Sequence, residues 1–202
     1  MENSGMLIII SGPSGSGKGT VVKNLDEKKG YALSISVTTR KMREGEVDGR
    51  DYFFHTQEEY FEMLEAGELL EHATFCGNCY GTPRTYVEEQ IEKGKMVILE
   101  IEVNGALQVK EKFPECVLIF LLPPTKDELE RRLVGRATED SEVIEFRLKR
   151  AEEEIKLIHE YDYLVINDDI DEAVRNIERI AIVEGMKPCR SLKKISKFKG
   201  DN

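Results

Sequence analysis

The stretch Ile8–Thr20, which reads IIISGPSGSGKGT, places a glycine-rich turn directly after a run of branched apolar residues. Short apolar runs of this kind are typical of strands buried on both faces. The following TVVKNL has the pattern of a helix. Glycines let the backbone bend tightly, so that successive N–H groups can point at phosphate oxygens; those of the turn are Gly12, Gly15 and Gly17. The stretch therefore predicts a phosphate-binding loop between a buried strand and a helix.

The end of this loop departs from the usual pattern G-x-x-x-x-G-K-[ST], because Gly19 stands where a hydroxyl residue is expected. Lys18 can still reach the β- and γ-phosphates of a nucleotide. Gly19 removes one direct oxygen ligand for Mg²⁺, an ion that usually keeps several waters. We expect Thr20, or water held by carboxylates, to replace that ligand. The loop is therefore predicted to bind a nucleotide.

The composition limits the classes of protein to which the chain can belong. It has 202 residues, of which 40% are hydrophobic and 34% charged, as in a soluble globular domain. The net charge of −10 argues against a general nucleic-acid-binding surface, although a few arginines in one cleft can still hold a nucleotide. No apolar run approaches the ~20 residues of a membrane helix, and the start MENSG lacks the features of a signal peptide. We expect a cytoplasmic monomer or homodimer without nucleic-acid or membrane partners.

The chain has four cysteines, and only Cys76 and Cys79, in CGNC, have a suggestive spacing. One such pair without a second Cys or His pair nearby is weak support for a zinc site. A redox motif opens a helix after a strand, whereas this one is followed by Tyr-Gly-Thr-Pro. We therefore expect plain reduced thiols.

Apolar runs alternate with amphipathic segments along the chain, which predicts an α/β domain with a parallel sheet. The candidate strands are Met6–Ser11, Met96–Ile101, Val117–Leu122 and Tyr163–Ile166. Three Thr-x-x-Glu capping boxes predict helix starts, at Thr56–Glu59, Thr85–Glu88 and Thr125–Glu128. An apolar stripe predicts a helix over Ser141–Tyr161; its members are Ile144, Leu148, Ala151, Ile155 and Ile158.

Two stretches interrupt this alternation. Residues 34–94 hold short alternating pieces, such as DYFFH and LLEHATF, around the turn-rich REGEVDGRD, which predicts an inserted mixed α/β subdomain. The arginine-rich RRLVGRATEDSE predicts a mobile lid within residues 127–158. The rest, about 1–33, 95–126 and 159–202, is predicted to form the core of a single domain. The basic tail after Met186 is predicted to be a solvated extension, with anion binding as a minor alternative.

Five further motifs follow the loop in order: SISVTTRKMREGEVDGRDY, LLEHATFCGNCYGT, VILEIEVNGA, ERRLVGRATEDSEVIEFRL and YLVINDD. Together with the loop they resemble the guanylate kinases across nearly the whole chain, from about Leu7 to Glu184. The resemblance implies a P-loop NTPase-type core with a parallel sheet flanked by helices, an inserted GMP-binding subdomain and an arginine-rich lid. It also implies transfer of a phosphoryl group from ATP, with Mg²⁺, to GMP or dGMP, giving ADP and the diphosphate.

The resemblance implies a site for the phosphate of GMP at Arg40, Arg43, Tyr52 and Tyr80. The two arginines offer planar forks that suit phosphate oxygens, and the tyrosines add hydroxyl donors. Taken singly, each of these residues is better explained as a solvated arginine or a core tyrosine, and only the motif favours a phosphate site.

For the base, the resemblance implies Glu71, Ser36 and Thr82. Guanine presents N1–H and an exocyclic amine as adjacent donors, a pair that one carboxylate can accept and that adenine lacks. Glu100 and Glu102 stand where the family commonly has Asp-x-Asp. We expect Glu102 to contact guanine and Glu100 to hold magnesium through water, although these longer side chains leave the partner of each open.

For the transfer step, the resemblance implies five catalytic cations. They are Lys18 of the loop, Arg40, and the three lid arginines Arg132, Arg136 and Arg147. In-line phosphoryl transfer needs positioning and the cancellation of charge on the phosphoryl oxygens, which these cations supply. Asn167 is implied beside the adenine ring. The loop residues implied at ATP are Gly12, Pro13, Ser14, Gly15, Ser16, Gly17, Lys18, Gly19 and Thr20.

Two alternatives remain open at the level of sequence. Guanylate-kinase-like domains of scaffold proteins bind phosphorylated peptides without catalysis, but they lack a functional phosphate loop. Other nucleoside monophosphate kinases, such as adenylate kinases, share the GKGT ending, against which Glu71 and Ser36 argue for guanine.

Overall fold

Strands and helices alternate along most of the chain. The computed structural model describes residues 5–25, 30–75, 77–134 and 141–190. Its strands are β1 (Met6–Ser11), β2 (Tyr31–Leu33), β3 (Val37–Thr38), β4 (Phe53–Phe54), β5 (Leu69–Phe75), β6 (Asn78–Pro83), β7 (Met96–Glu100), β8 (Val117–Leu122) and β9 (Tyr163–Ile166). Its helices are α1 (Lys18–Lys23), α2 (Gln57–Glu65), α3 (Arg84–Glu92), α4 (Val103–Lys112), α5 (Lys126–Val134), α6 (Ser141–Ile155) and α7 (Ile170–Glu184).

The larger sheet has five strands in the order β2-β7-β1-β8-β9, and every pair is parallel. Strand β1 lies in the middle and is buried along its whole length. Because successive side chains point to opposite faces, Ile8 and Ile10 pack with residues of α1 and α7, while Leu7 and Ile9 pack with residues of α3 and α4. Burial on both faces explains why the strands of this sheet are continuous apolar runs.

A second, four-stranded sheet, in the order β4-β3-β6-β5, is built from residues 37–83. It is mixed, because β3 runs parallel to β4 while β6 is antiparallel to both β3 and β5. Helix α2 covers it through Tyr60, which packs against Val37 and Leu69 and donates a hydrogen bond to the Tyr80 carbonyl at 2.8 Å.

Helix α4 joins the two sheets. Lys112 Nζ donates to the carbonyl of Leu70 on β5 at 2.5 Å. Gln108 exchanges two hydrogen bonds with the backbone of His72, at 2.8 and 3.1 Å. These side chains satisfy backbone groups of β5, which is an edge strand of the second sheet. The helix therefore fixes β5 beside the core, at the base of the cleft described below.

The predicted strands Met6–Ser11, Val117–Leu122 and Tyr163–Ile166 are confirmed with the same bounds, and Met96–Ile101 ends one residue early. The predicted helix over 141–161 is confirmed only to Ile155, after which a 3-10 turn spans Ile158–Glu160.

The capping box at Thr56 is confirmed in full, with both of its hydrogen bonds present. The box at Thr85 is wrong, because the chain passes directly from β6 into α3 at Arg84 and Thr85 already lies inside the helix. The Arg84 N–H donates instead to the Glu68 carbonyl at 2.8 Å.

The box at Thr125 forms only in part. The Thr125 hydroxyl accepts from the Glu128 N–H at 3.1 Å, as predicted. The Glu128 carboxylate, however, binds Arg131 and Arg132 at 2.6–2.7 Å. Because a charged guanidinium is a stronger donor than a backbone N–H, these arginines take the carboxylate that the box requires.

The described start of the basic tail is exposed at residues 187–189, and ion pairs connect it to α7. Lys187 and Arg190 lie 2.7 and 3.6 Å from the carboxylate of Glu184, which is almost fully buried at the end of α7. The tail residues after 190, and Cys76 of the CGNC motif, lie outside the described residues. None of the helices within the described ranges is long and apolar enough to cross a membrane.

Candidate active site

A cleft of about 330 Å³ opens at the carboxyl ends of β1 and β7, between the core sheet and the second sheet. Ligand sites in parallel α/β sheets form at this edge. The core contributes Gly12, Ser14, Lys18, Glu100, Ile101 and Glu102 to its lining. The second-sheet segment contributes Ser36, Arg40, Arg43, Glu46, Tyr52, Glu71, Ala73 and Tyr80, and helix α6 contributes Arg147, Arg150 and Glu154.

The glycines of the loop are required by its geometry at two positions. Gly12 has φ 139°, and a Cβ there would lie 2.2 Å from the Leu121 carbonyl oxygen on β8. Gly17 has φ 90°, and its Cβ would lie 2.4 Å from Asn167 Nδ2. Side chains avoid such backbone angles, and the contacts leave no room for one. The loop therefore keeps its backbone close to β8 and β9.

Lys18 folds back over this loop. Its Nζ donates to the carbonyl oxygens of Gly12 and Pro13, at 2.6 and 3.0 Å. The ammonium group consequently lies at the cleft wall formed by the loop. A phosphate entering there would meet a cation already positioned by the backbone.

Asn167 and Arg132 support the loop from behind. Asn167 is buried and donates from Nδ2 to the Ser16 carbonyl at 2.8 Å. Arg132 donates from Nη2 to the Asn167 carbonyl at 3.0 Å and from Nε to Glu128 at 2.6 Å. Neither residue belongs to the cleft lining described above. In this structure both fix the position of the phosphate loop.

The guanidinium of Arg40 is held by a carboxylate that the sequence analysis did not single out. Glu46 accepts from both terminal nitrogens of Arg40, at 2.8 and 3.0 Å, and from the Arg43 backbone N–H at 2.7 Å. This bidentate contact raises the pKa of Arg40 and lowers the pKa of Glu46. The Arg40 guanidinium also lies 5.3 Å from the centre of the Tyr52 ring.

The arrangement around Arg40 places its fork in one fixed orientation at the cleft. Tyr52 meets Tyr80 edge to face, with ring centres 6.0 Å apart. Burial raises the pKa of Tyr52, so its hydroxyl stays protonated and can donate. The structure thus brings together all four residues predicted at the phosphate of GMP.

Glu71 is an almost fully buried carboxylate at the opposite end of this wall, with 2% of its surface exposed. Its register in β5 shifts between Leu69 and His72, a bulge that lets the neighbouring Leu70 and Glu71 both be buried. Thr82 Oγ1 donates to Glu71 Oε1 at 2.8 Å. Burial, with a smaller contribution from the nearby charge of Glu102, raises the pKa of Glu71 to about 7, although the Thr82 hydrogen bond lowers it.

Glu102 caps helix α4 at the same place. Its Oε1 accepts from the Gly105 N–H at 2.6 Å. A Cβ on Gly105 would lie 2.6 Å from Glu71 Oε2 and 3.5 Å from Glu102 Oε1. The absence of a side chain at Gly105 therefore lets the two predicted base-contacting carboxylates approach the same point.

Helix α6 brings Arg147 to the cleft, as predicted, together with two residues that the sequence analysis missed. Arg150 donates from Nε to Glu154 at 2.9 Å and from Nη2 to Glu102 at 3.1 Å. The spacing of three residues from Arg147 to Arg150 on one helix was a usable signal, because such residues share a face. For Glu46 no regular spacing links it to Arg40, so no local signal existed.

Of the two residues predicted to bind the metal, Glu100 and Thr20, only Glu100 lines the cleft. Glu100 lines the cleft, and its Oε1 would lie 3.3 Å from a Cβ on Gly19. Thr20 is exposed on α1 and does not line the cleft. A hard carboxylate beside Gly19 fits an ion held through water, as Mg²⁺ often is. Arg136 of the predicted lid lies outside the described residues.

Gly19→Ser is expected to change the dependence of turnover on Mg²⁺ only modestly, by less than about threefold in the concentration giving half-maximal rate. The backbone of Gly19 is helical, and the new Cβ would need Glu100 to shift by a few tenths of an ångström. Titration of Mg²⁺ at saturating nucleotide measures the effect. A large gain in activity would mean that the natural loop is impaired, contrary to this prediction.

Comparisons with known proteins cover nearly the whole chain. A family model described as guanylate kinase matches residues 4–183. A guanylate kinase of Lactococcus lactis is 52% identical over 185 residues, which cover 91% of this chain and 90% of that protein. A guanylate kinase of Oceanobacillus iheyensis is 51% identical over 202 residues, covering 100% of this chain and 98% of that protein. The crystal structure of guanylate kinase from Anaplasma phagocytophilum matches with a TM-score of 0.81 and 35% identity, over 100% of this chain and 98% of that one.

Proposed function

The chain belongs to the guanylate kinase family, and we propose on that premise that it transfers the γ-phosphoryl group of ATP to GMP, giving ADP and GDP. One observation carries the choice of GMP. The buried carboxylate of Glu71, held by Thr82, faces the same cleft as the loop lysine and the Arg40 fork. The residues proposed to read the base, to bind the phosphate of GMP and to bind ATP thus line one cavity.

The acceptor nucleotide is proposed to bind along the second-sheet wall. Its phosphate would lie at Arg40, Arg43, Tyr52 and Tyr80, where guanidinium and hydroxyl donors suit phosphate oxygens and Glu46 holds the Arg40 guanidinium in place. Its base would donate N1–H and the exocyclic amine to Glu71, which Thr82 holds, with Ser36 and Glu102 as further contacts. The subdomain involved is proposed to span about residues 34–94.

ATP is proposed to bind with its phosphates on residues 12–20 and its adenine near Asn167. Lys18 would hold the transferred phosphoryl group, and Arg136 and Arg147 would offset the charge on its oxygens from a lid of about residues 127–158. Arg132 would join them only after leaving the Asn167 carbonyl, to which it donates in this structure. Mg²⁺ would be held by Glu100 through water and would supply further neutralisation when bound. Closure of the lid would exclude water as a competing acceptor.

Several finer points belong to the same proposal. We propose that dGMP is accepted as well as GMP, because none of the groups proposed at the base or the phosphate has to contact the ribose 2′-hydroxyl. A cytoplasmic location and a monomeric or homodimeric state complete the proposal. Gel filtration with light scattering would measure the oligomeric state.

A coupled assay that measures the release of ADP tests the function directly. It is run with GMP, AMP, dTMP or no added phosphoryl acceptor. Rapid turnover with GMP alone is expected. Turnover with AMP would indicate an adenylate-kinase-like specificity. No turnover with any nucleotide would favour a binding domain of the scaffold type.

GMP binding is expected to strengthen as the pH rises towards 7 and to level off above it. Glu71 must be ionised to accept both guanine donors, and burial raises its pKa to about 7. Below that pH, binding must release a proton, which weakens affinity by up to about tenfold per pH unit. Calorimetry from about pH 5.5 to about pH 8 measures the slope.

The phosphate of GMP also titrates in this pH range, so the pH dependence of GMP affinity must be measured against a control. Glu71→Gln keeps the phosphate site and removes only the titrating carboxylate. The wild type is expected to show the steeper dependence. Equal slopes for the two proteins would show that Glu71 does not ionise on binding.

A further inference from the structure

Arg150 is a cation of helix α6 that reaches across the cleft to the wall at which the base is proposed to bind. Its guanidinium contacts two carboxylates, Glu102 at 3.1 Å and Glu154 at 2.9 Å. All three side chains are largely shielded, with 27%, 26% and 13% of their surfaces exposed for Arg150, Glu102 and Glu154. Ion pairs with this degree of shielding are stronger than those on an open surface.

The carboxylate of Glu102 is fixed from two sides. Its Oε1 accepts from the Gly105 N–H, which caps α4, and its Oε2 accepts from Arg150 Nη2. The cap contact fixes one oxygen only, so rotation of the carboxylate about that contact is restrained by Arg150. The side chain is therefore held beside Glu71, which approaches the same Gly105.

The ion pair between Arg150 and Glu102 also offsets repulsion among the carboxylates at this side of the cleft. Burial is the main cause that raises the pKa values of Glu71 and Glu154, and the charge of Glu102 adds to both rises. Three carboxylates thus repel one another around one side of the cleft, and like charges at close range disfavour the ionised forms. The Arg150 guanidinium lies between two of them and offsets this repulsion.

We propose that Arg150 is a positioning residue for base selection: it holds the Glu102 carboxylate beside Glu71 so that the two together accept the donors of a 2-amino-6-oxopurine. This inference rests on the proposed function, because it concerns how that site chooses its base. Arg150 acts through Glu102 and makes no contact of its own with the base. Loss of the cation removes the restraint on rotation of the Glu102 carboxylate about its cap contact and leaves its charge opposed to that of Glu71.

Arg150→Gln is expected to raise KM for GMP roughly tenfold, with kcat changed less than about twofold and KM for ATP unchanged. The preference for GMP over IMP, which lacks the exocyclic amine, is expected to fall by a similar factor. Arg150→Lys, which keeps the positive charge, is expected to recover part of both effects. Arg175→Gln is the matched control, because Arg175 pairs with Glu172 on α7 and is 52% exposed.

A double-mutant cycle with Glu102→Gln identifies the route by which Arg150 acts. In the Glu102→Gln background, Arg150→Gln is expected to add less than about a twofold further loss, because the group it positions has already changed. Additive losses would overturn the proposal. The proposal would also be overturned if the preference for GMP over IMP stayed at the value of Arg175→Gln, since a merely structural role lowers kcat/KM for both substrates equally.

The wild type, assayed first, separates this inference from the function on which it rests. If the wild type shows no GMP-dependent release of ADP, the proposed function fails. If the wild type is active and Arg150→Gln matches Arg175→Gln in KM for GMP, only the role of Arg150 fails.

Thermal unfolding of each variant identifies any loss that arises from the fold. If Arg150→Gln does not fold, the Arg150→Lys variant decides the question, because it keeps the charge and changes only the fork that contacts Glu102. A GMP-to-IMP preference below that of the wild type in this variant supports the proposal. An unchanged preference overturns it.

Discussion

Lys18→Ala is expected to lower kcat by at least about 100-fold while leaving the affinity for GMP within about twofold of wild type. The ammonium is held by the carbonyl oxygens of Gly12 and Pro13, on the loop that is proposed to hold the ATP phosphates. Its charge is therefore proposed to act on the transferred phosphoryl group. The residues proposed at GMP belong to other segments and do not depend on it.

Two measurements separate these effects. Steady-state kinetics give kcat, and calorimetry with GMP alone gives the affinity for the phosphoryl acceptor. Lys23→Ala is the matched control, because Lys23 is an exposed lysine at the end of the same helix. If GMP affinity falls together with turnover, Lys18 serves the acceptor nucleotide and the division of the cleft proposed here is wrong.

The core strands were predictable because burial on both faces leaves a direct trace in the sequence. Runs such as Met6–Ser11 and Val117–Leu122 are almost wholly apolar, and the structure confirms both with the same bounds. The phosphate-binding loop was equally predictable from its glycines, since the positive φ at Gly12 and Gly17 strongly favours glycine there. Features that one segment determines by itself could thus be predicted.

Contacts between distant segments left no such trace. Arg150 and Glu102 are 48 residues apart in sequence, and nothing in either segment predicts their ion pair. Glu46 lies in a turn-rich stretch in which its contact with Arg40 depends on how the turn folds. The misplaced cap at Thr85 has the same origin, because the hydrogen bond from Arg84 to the residue just before β5 decides where α3 begins. Tertiary pairing, and not local propensity, set these details.

The same distinction applies within the candidate site. Position 71 could be inferred from the sequence only through the family resemblance, since an isolated glutamate in a strand is ordinarily exposed. The structure adds the bulge that buries it and the Thr82 hydroxyl that holds one of its oxygens. Burial raises the pKa of Glu71, and the Thr82 hydrogen bond lowers it in part, so the ionisation of Glu71 is a measurable property of the site.

Glu71→Gln is expected to weaken the use of GMP by at least about tenfold without weakening the fold. Glutamine keeps the size of the side chain but presents one acceptor and one donor, so one guanine donor would face another donor. A buried donor left unpaired costs about 1–3 kcal/mol, and more where a charge was involved. KM for ATP should stay near wild type, because Glu71 belongs to the wall proposed for the acceptor nucleotide.

The stability of this variant follows from the sign of the pKa shift. The pKa of Glu71 in the folded chain is about 7, above the usual 4.5, so its contribution to stability is present below pH 4.5 and is lost as the pH rises through 7. At about pH 8 the wild type therefore carries the cost of a buried charge. Glutamine is neutral and avoids this cost, so its free energy of unfolding at about pH 8 should equal or exceed that of the wild type.

Kinetics with GMP and IMP, together with denaturant unfolding at about pH 8, test both expectations. IMP lacks the exocyclic amine, so it should be a poor substrate for the wild type. Its kcat/KM should fall less than that of GMP on mutation. Glu68→Gln, which changes an exposed carboxylate just before β5, should leave both substrates unchanged. If GMP and IMP fall equally while the fold stays intact, Glu71 is structural, and Glu102, which approaches the same Gly105, becomes the residue that distinguishes guanine from hypoxanthine.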